Sequence, residues 1–126
     1  MRKIATLVTA AASIATLVGS LALLPTGSSI AAGNSASAVD QGKKLAFNRK
    51  KGNCLACHQI AGGNMAGNIG PPLVAMKARF PDKSKLRSQI WDATKANPNS
   101  AMPPFGRHKI LSDKDIDKIV EYVYTL

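Results

Sequence analysis

The chain has 126 residues, 45% of them apolar and 5% aromatic, and its 17 Lys and Arg against seven Asp and Glu give a formal charge of +10. It is too short for a multidomain enzyme and too apolar for a disordered chain. Two cysteines and two histidines exclude a disulfide-dense scaffold and a four-cysteine zinc site.

The first 38 residues are typical of an export leader. Arg2 and Lys3 precede an uncharged run from Ile4 to Leu24, and a stretch rich in Ser and Ala follows. A basic start, an apolar region and small residues in this order predict a secretory signal. We therefore expect residues 1–38 to be a signal peptide and residues 39–126 to be a periplasmic domain.

The end of the leader has two interpretations. Ala36-Ser37-Ala38 fits a small-x-small cleavage site before Val39, and residues 29–31 offer a second site. The apolar run of about 21 residues is also long enough to span a bilayer, so an uncleaved N-terminal anchor is the alternative. In both cases the basic residues stay inside and the remainder is exported. We expect no membrane span in residues 39–126.

Residues 39–126 form a short domain, in which Leu, Ile, Val and Phe make up about 22% of the residues. That share is close to the level below which globular folding fails. Short domains of this kind usually need a disulfide, a metal or a cofactor to stabilise them. The composition therefore predicts such a group.

The first helix of this domain is predicted from Gln41 to Lys51. Asp40 precedes it as a candidate N-cap, and Leu, Ala and Phe at 45–47 supply its apolar face. Gly52-Asn53 is a typical C-terminal signal and predicts the end of the helix.

Directly after this helix stands Cys54-Leu55-Ala56-Cys57-His58, the C-x-x-C-H pattern that attaches c-type haem. Two intervening residues place both sulfurs where they can add to the two vinyl groups of the porphyrin, and the adjacent histidine binds the iron. A thioredoxin-type disulfide would need a βαβ pattern, which the sequence lacks. The motif predicts one covalent haem c held by Cys54 and Cys57, with His58 as an axial ligand.

Gly70-Pro71-Pro72-Leu73 follows a loop at 62–70 and precedes a short helix at about 73–79. A metal-bound histidine normally donates its second ring N–H to a fixed acceptor. The carbonyl of Pro71 is a candidate because the prolines make this backbone rigid, and an ordinary turn is the alternative. Pro71 and Leu73 are therefore assigned to the haem environment.

A further helix is predicted from Asp82 or Ser84, either of which can cap it, to Ala93. Leu86 and Ile90 are spaced to share one face of this helix. Trp91 is the one tryptophan, and it is a candidate to pack on the haem with its indole N–H at a propionate. Ordinary core packing is an equal alternative for Trp91.

The sixth iron ligand has four candidates downstream of the motif: Met65, Met76, Met102 and His108. Met102 lies in a loop at 97–106, where two following prolines forbid regular structure and hold the chain stiff. Met76 is in an apolar run typical of core, Met65 is in a turn close to His58, and His108 is flanked by charged residues. We therefore expect His58 and Met102 to be the axial ligands.

The last helix begins after Ser112, which is an N-cap with Asp115 at N3. Its apolar residues recur at i, i+3, i+4 and i+7: Ile116, Ile119, Val120 and Val123. No strand pattern and no repeat occurs, so the sequence predicts an all-α fold around one covalently bound haem.

These features together resemble the class I cytochromes c. The residues at 46–58, Gly70-Pro71-Pro72-Leu73 and Met102-Pro103-Pro104-Phe105-Gly106 are most similar to the SoxX family, the small monohaem subunits of periplasmic SoxAX cytochromes. One departure is that Gly42 lies farther from the first cysteine than the usual helix-1 glycine. This leaves open which small residue contacts the C-terminal helix.

The resemblance implies partners and a reaction. A SoxA-like cytochrome subunit would carry the catalytic haem, and thiosulfate would be joined oxidatively to a cysteine of a SoxYZ-like carrier protein, an L-cysteine S-thiosulfotransferase type of reaction. This chain would take up the electrons and pass them to a downstream soluble cytochrome c.

A haem iron with His and Met ligands has no open position for substrate, so the chain alone is expected to be an electron carrier. The thioether and an apolar shell both favour ferrous iron and raise the potential. A free soluble carrier that feeds an oxidase or reductase is the alternative, and a ligand-binding haem sensor is a third.

The basic charge is not expected to bind nucleic acid, because the chain carries an export signal, few aromatics and no nucleic-acid motif. Two interpretations remain, namely a solvated lysine surface and a docking surface for acidic proteins.

Overall fold

The computed structural model describes residues 29–126, so the predictions on residues 1–28 lie outside it. Four α-helices follow in chain order: α1 (Ser29–Phe47), α2 (Met76–Arg79), α3 (Lys83–Trp91) and α4 (Asp113–Val123). Two 3₁₀ turns stand between them, at Cys54–Ala56 and Ala93–Lys95. No strand occurs in residues 29–126, and the predicted all-α fold is confirmed.

Helix α1 differs from its prediction at both ends. It begins at Ser29, so Asp40 lies inside the helix and the predicted N-cap is wrong. It ends at Phe47, because the Asn48 side chain accepts the Lys50 N–H (2.8 Å) in a turn that competes with the helix. The N–H of Gly52 then returns to the Leu45 carbonyl (3.1 Å), which closes the C-terminus.

Helices α1 and α4 cross at Gly42, which is buried. A Cβ at Gly42 would lie 1.9 Å from the Lys118 carbonyl oxygen and 2.9 Å from Tyr122 Cβ, so a side chain at this position would force the two backbones apart. One turn later the rings of Phe47 and Tyr122 meet edge to face, with centroids 6.0 Å apart. Gly42 is thus the small residue that contacts the C-terminal helix.

The shorter helices are capped as their sequences predict. Asp82 caps α3 by accepting the Ser84 N–H (2.8 Å), and α3 ends at Trp91, two residues before the predicted end. Ser112 caps α4 by accepting the Asp115 N–H (3.1 Å). Ala75 precedes α2 in the left-handed region (φ 50°), which shortens the predicted helix at 73–79 to one turn.

Ion pairs join α3 to α4 across the surface. Arg87 bridges Asp117 (2.7 Å) and Asp113 (2.9 Å), and Lys83 contacts Glu121 (2.9 Å). Beneath them a single apolar core is formed by buried residues of α1, α3, α4 and the connecting loops. Within residues 29–126, no helix combines the length and apolarity that crossing a membrane requires.

Candidate haem site

A cavity of about 850 Å³ opens between the segment after α1, the loops at 69–73 and 97–105, and helices α3 and α4. Its inner wall is apolar and largely buried, and includes Leu73, Met76, Leu86, Ile90, Phe105, Ile119 and Val123. A cavity of this size and character is typical of a site for a large, mostly apolar ligand.

Both cysteines line the cavity from one short turn. The 3₁₀ turn at Cys54–Ala56 stacks side chains at i and i+3, so the spacing of two residues brings both sulfurs to one side. Burial raises the pKa of the Cys54 thiol to about 11, so this thiol is protonated near neutral pH. Redox-active C-x-x-C thiols have a lowered pKa instead, so the direction here disfavours a thioredoxin-like role.

His58 follows the turn and also lines the cavity. Its Nδ1 lies 2.7 Å from the Pro71 carbonyl oxygen. A carbonyl only accepts, so Nδ1 carries the proton in this bond and Nε2 keeps its lone pair free for a metal. Gly70 lies against the ring, since a Cβ there would be 2.5 Å from His58 Cε1. The rigid Gly-Pro segment therefore sets the orientation of the imidazole.

Two of the four candidate sixth ligands, Met102 and Met76, line the cavity. Met102 is partly buried and lines the cavity, on a loop whose Ser100 hydroxyl accepts the Met102 N–H (3.2 Å). Met76 also lines the cavity, but it is 2% exposed within the core cluster. Met65 is 86% exposed, and neither Met65 nor His108 is among the lining residues.

Of the three residues predicted for the haem environment, two line the cavity. Pro71 and Leu73 line the cavity, and Leu73 is buried. Trp91 is not among the lining residues. Its ring packs against Gly106, and the Lys95 ammonium lies 5.1 Å from the ring centroid. Trp91 is partly buried against the core cluster, as the core-packing alternative describes, and its contact with a propionate stays a prediction.

Sequence reasoning missed the charged part of the cavity wall. No acidic residue is among the lining residues, whereas four cations are: Arg49, Lys50, Lys51 and Arg79. Arg79 donates to the Pro72 carbonyl (2.8 Å), next to the acceptor of His58. The basic triplet directly before the C-x-x-C-H motif was a visible signal, whereas Arg79 reaches the cavity only through the fold.

This wall fits a haem c. Two adjacent thiols, a histidine with a free Nε2, a thioether and an apolar interior match the attachment, ligation and burial of the macrocycle. The wall carries cations and no carboxylates, which complements the negative charge of the two haem propionates. Cys54 and Cys57 would hold the group, and Arg79 with the triplet at 49–51 would meet its carboxylates.

Residues 37–123 match the family described as cytochrome C oxidase, cbb3-type, subunit III. The match covers more than half of the chain, and the chain belongs to this family. Membership implies a covalent haem c and a role in electron transfer.

A solved structure gives a narrower likeness. The chain is similar to one chain of the crystal structure of SoxXA from P. pantotrophus, with a TM-score of 0.62 and 25% identity over 68% of this chain and 79% of that one. Together with the family match, this describes a SoxX-like monohaem cytochrome of the class I type.

A curated relative is an uncharacterized lipoprotein of Aquifex aeolicus (strain VF5), 37% identical over 76 residues. The alignment covers 60% of this chain and 37% of the relative, so the chain spans less than half the length of that protein.

Proposed function

We propose that this chain is the electron-accepting subunit of a periplasmic SoxAX-type complex, in which thiosulfate is coupled oxidatively to a carrier-protein cysteine. The observation that carries the proposal is the convergence of Cys54, Cys57, His58 and Met102 on one apolar cavity in a chain similar to SoxXA. Residues 1–38 would direct export as a signal peptide.

The site residues would divide the work as follows. Cys54 and Cys57 would hold the haem, His58 would offer Nε2 to the iron while the Pro71 carbonyl fixes its ring, and Met102 would supply the sixth ligand. Haem c, when bound, supplies reversible one-electron chemistry. The apolar wall excludes water and favours the ferrous state, which raises the reduction potential.

The electron count explains why a carrier subunit is needed. Joining thiosulfate to a thiol releases two electrons and one proton, because a new sulfur–sulfur bond replaces the S–H bond. A chain that accepts one electron at a time must pass it on before taking the second. A SoxA-like subunit would therefore present the electrons, and a soluble cytochrome c would remove them.

The sixth-ligand assignment is tested with Met102→Ala. Loss of the thioether should abolish the methionine–iron charge-transfer band of the oxidised protein and lower the reduction potential. Met65→Leu is the matched control, because Met65 is exposed and outside the cavity, and it should leave both unchanged. A band that survives in Met102→Ala would contradict the assignment.

The partner assignment is tested by purifying the tagged, haem-loaded chain from the periplasm of its own cells. A second cytochrome subunit should co-purify, and thiosulfate with the carrier protein should reduce the chain only when that subunit is present. A stable, isolated monomer that reduces an oxidase directly would instead support a free carrier. The family description, which refers to an oxidase subunit, is the observation that favours this second candidate.

A further inference from the structure

Asp92 is a buried carboxylate that the haem site itself does not use. The residue is 2% exposed and follows the last residue of α3. Its Oδ1 accepts from the Thr94 N–H (3.1 Å) and hydroxyl (2.5 Å), which caps the 3₁₀ turn at 93–95. Its Oδ2 accepts no hydrogen bond within the described residues and lies 3.4 Å from Nη1 of Arg107. Burying a charge is costly unless it is paired, so this pair requires an explanation.

The pair stands at the base of the loop that carries Met102. The Trp91 carbonyl accepts the N–H groups of Gly106 (2.9 Å) and Arg107 (3.4 Å), so the backbone closes at the same place. The segment that carries Met102 therefore leaves the end of α3 at Asp92 and returns to that end at Gly106 and Arg107. An opening that swings this whole segment away from the cavity would loosen the junction.

The loop between these ends is stiff. The Asn97 side chain accepts the Asn99 N–H (3.0 Å), the Ser100 hydroxyl accepts the Met102 N–H (3.2 Å), and two prolines follow. Prolines reduce the number of conformations open to a loop. A stiff loop moves as a unit about its ends, and the contacts at those ends then decide how often the loop opens.

We propose that the Asp92–Arg107 ion pair is a positioning clamp that holds the Met102 loop closed and keeps the thioether at the iron. The clamp rests on the proposed function, because it presupposes that Met102 is the sixth ligand. Asp92 and Arg107 act through the loop, and neither is among the residues that line the cavity.

The clamp has a defined pH dependence. The bond from the Thr94 hydroxyl, with help from the charges of Arg107 and Lys95, holds the pKa of the Asp92 carboxyl below its usual value of 3.8. A lowered pKa means that the stabilisation is complete above the usual carboxyl pKa and is lost as pH falls through the lowered one. Met102 should therefore stay bound at neutral pH and be released at strongly acid pH.

The test uses the haem-loaded full chain and measures its apparent affinity for added imidazole, which displaces the methionine. The loss of the methionine–iron charge-transfer band reports this displacement. Asp92→Asn and Arg107→Gln should each raise the apparent affinity for imidazole by about tenfold. Arg107→Lys should restore most of the wild-type value. In the double variant, the rise in apparent imidazole affinity should be well below the product of the two single rises.

Asp82→Asn is the matched control, because Asp82 likewise accepts a backbone N–H, that of Ser84, but stands at the opposite end of α3 from Asp92. It should leave imidazole affinity unchanged. In the wild type, the methionine–iron band should weaken at acid pH as the Asp92 carboxylate is protonated. Asp92→Asn has no carboxylate at this position, so this part of the weakening should disappear.

Two results overturn the clamp. Wild-type imidazole affinity in both Asp92→Asn and Arg107→Gln would show that the pair does not hold the loop. If Asp92→Asn fails to bind haem, unchanged affinity in Arg107→Gln, which alters a half-exposed side chain, is decisive by itself. A wild-type protein without the methionine band would instead reject the proposed sixth ligand, and the clamp with it.

Discussion

His58 illustrates how single residues prepare the site. Its imidazole is fixed by the Nδ1 bond to Pro71 O (2.7 Å) on one side and by the bare backbone of Gly70 on another. Both contacts restrict the rotation of the imidazole. A ring held in one orientation loses less entropy on ligation.

Gly70→Ala should disturb this arrangement. The new methyl group would lie 2.5 Å from His58 Cε1, so the ring or the loop must shift, and we expect a loss of about 1 to 3 kcal/mol in the unfolding free energy of the holoprotein. Urea unfolding followed by haem absorbance measures it. Gly62→Ala, at a position with φ 75° and no close neighbour, should cost only about 1 kcal/mol of backbone strain. Equal effects of the two substitutions would contradict the packing argument.

At the scale of elements, helix propensity and helix packing act in opposite directions at the crossing of α1 and α4. Alanine is a better helix former than glycine by about 1 kcal/mol, so propensity alone predicts that Gly42→Ala stabilises α1. The approach of Lys118 O to 1.9 Å of the new Cβ predicts the reverse. The two effects therefore have opposite signs and can be separated by one measurement.

We expect Gly42→Ala to lower the free energy of unfolding by about 1 to 3 kcal/mol or more. Thermal or urea unfolding of the holoprotein gives the sign directly. Lys44→Ala, at an exposed position of the same helix, should stay within about 0.5 kcal/mol of wild type. A stabilised Gly42→Ala variant would show that the helices separate easily.

The start of α4 permits an independent test of the closing helix. Ser112→Ala removes the hydroxyl that accepts the Asp115 N–H, and should lower stability by about 1 kcal/mol. Ser112→Asp retains an acceptor and should recover most of the loss. If Ser112→Ala is as stable as the wild type, the cap contributes nothing and the helix is held by packing alone.

At the scale of the whole molecule, the charge is divided unevenly. Residues 39–111 carry 13 basic and three acidic side chains, whereas residues 112–126 carry two and four. The structure pairs all four acids of α4 with cations elsewhere, Asp115 with Lys51 at 3.7 Å among them. Arg49 and Lys50 make no ion pair within the described residues and line the cavity, so unbalanced positive charge collects at the haem site.

Electron transfer with an acidic partner should therefore weaken as salt rises, because exposed charges are screened over about 10 Å at 0.1 M ionic strength. Stopped-flow rates against ionic strength measure the slope. The double variant Arg49→Gln with Lys50→Gln should flatten it. Lys44→Gln with Lys85→Gln removes the same charge away from the cavity wall and should change it less. Rates independent of salt in the wild type would exclude electrostatic docking.

The local features of this protein could be predicted from its sequence because their causes are local. The C-x-x-C-H spacing, the prolines after Met102, the Ser112 cap and the apolar period of α4 each depend on neighbours a few residues apart. The same reasoning identified the Pro71 carbonyl as a partner for His58, a contact that the structure shows at 2.7 Å. It failed at both ends of α1. The helix begins at Ser29, before Asp40, and the competing turn at Asn48 ends it before Lys51.

The sequence by itself determined the class of fold and the residues that would hold a haem, since both follow from short-range spacing and side-chain chemistry. The tertiary structure alone decided which small residue lies at the helix crossing, that Trp91 packs against Gly106, and that Arg79 reaches the cavity. It also brought Asp92 to Arg107. These contacts join residues far apart along the chain, and such pairs form only when helix packing brings their elements together.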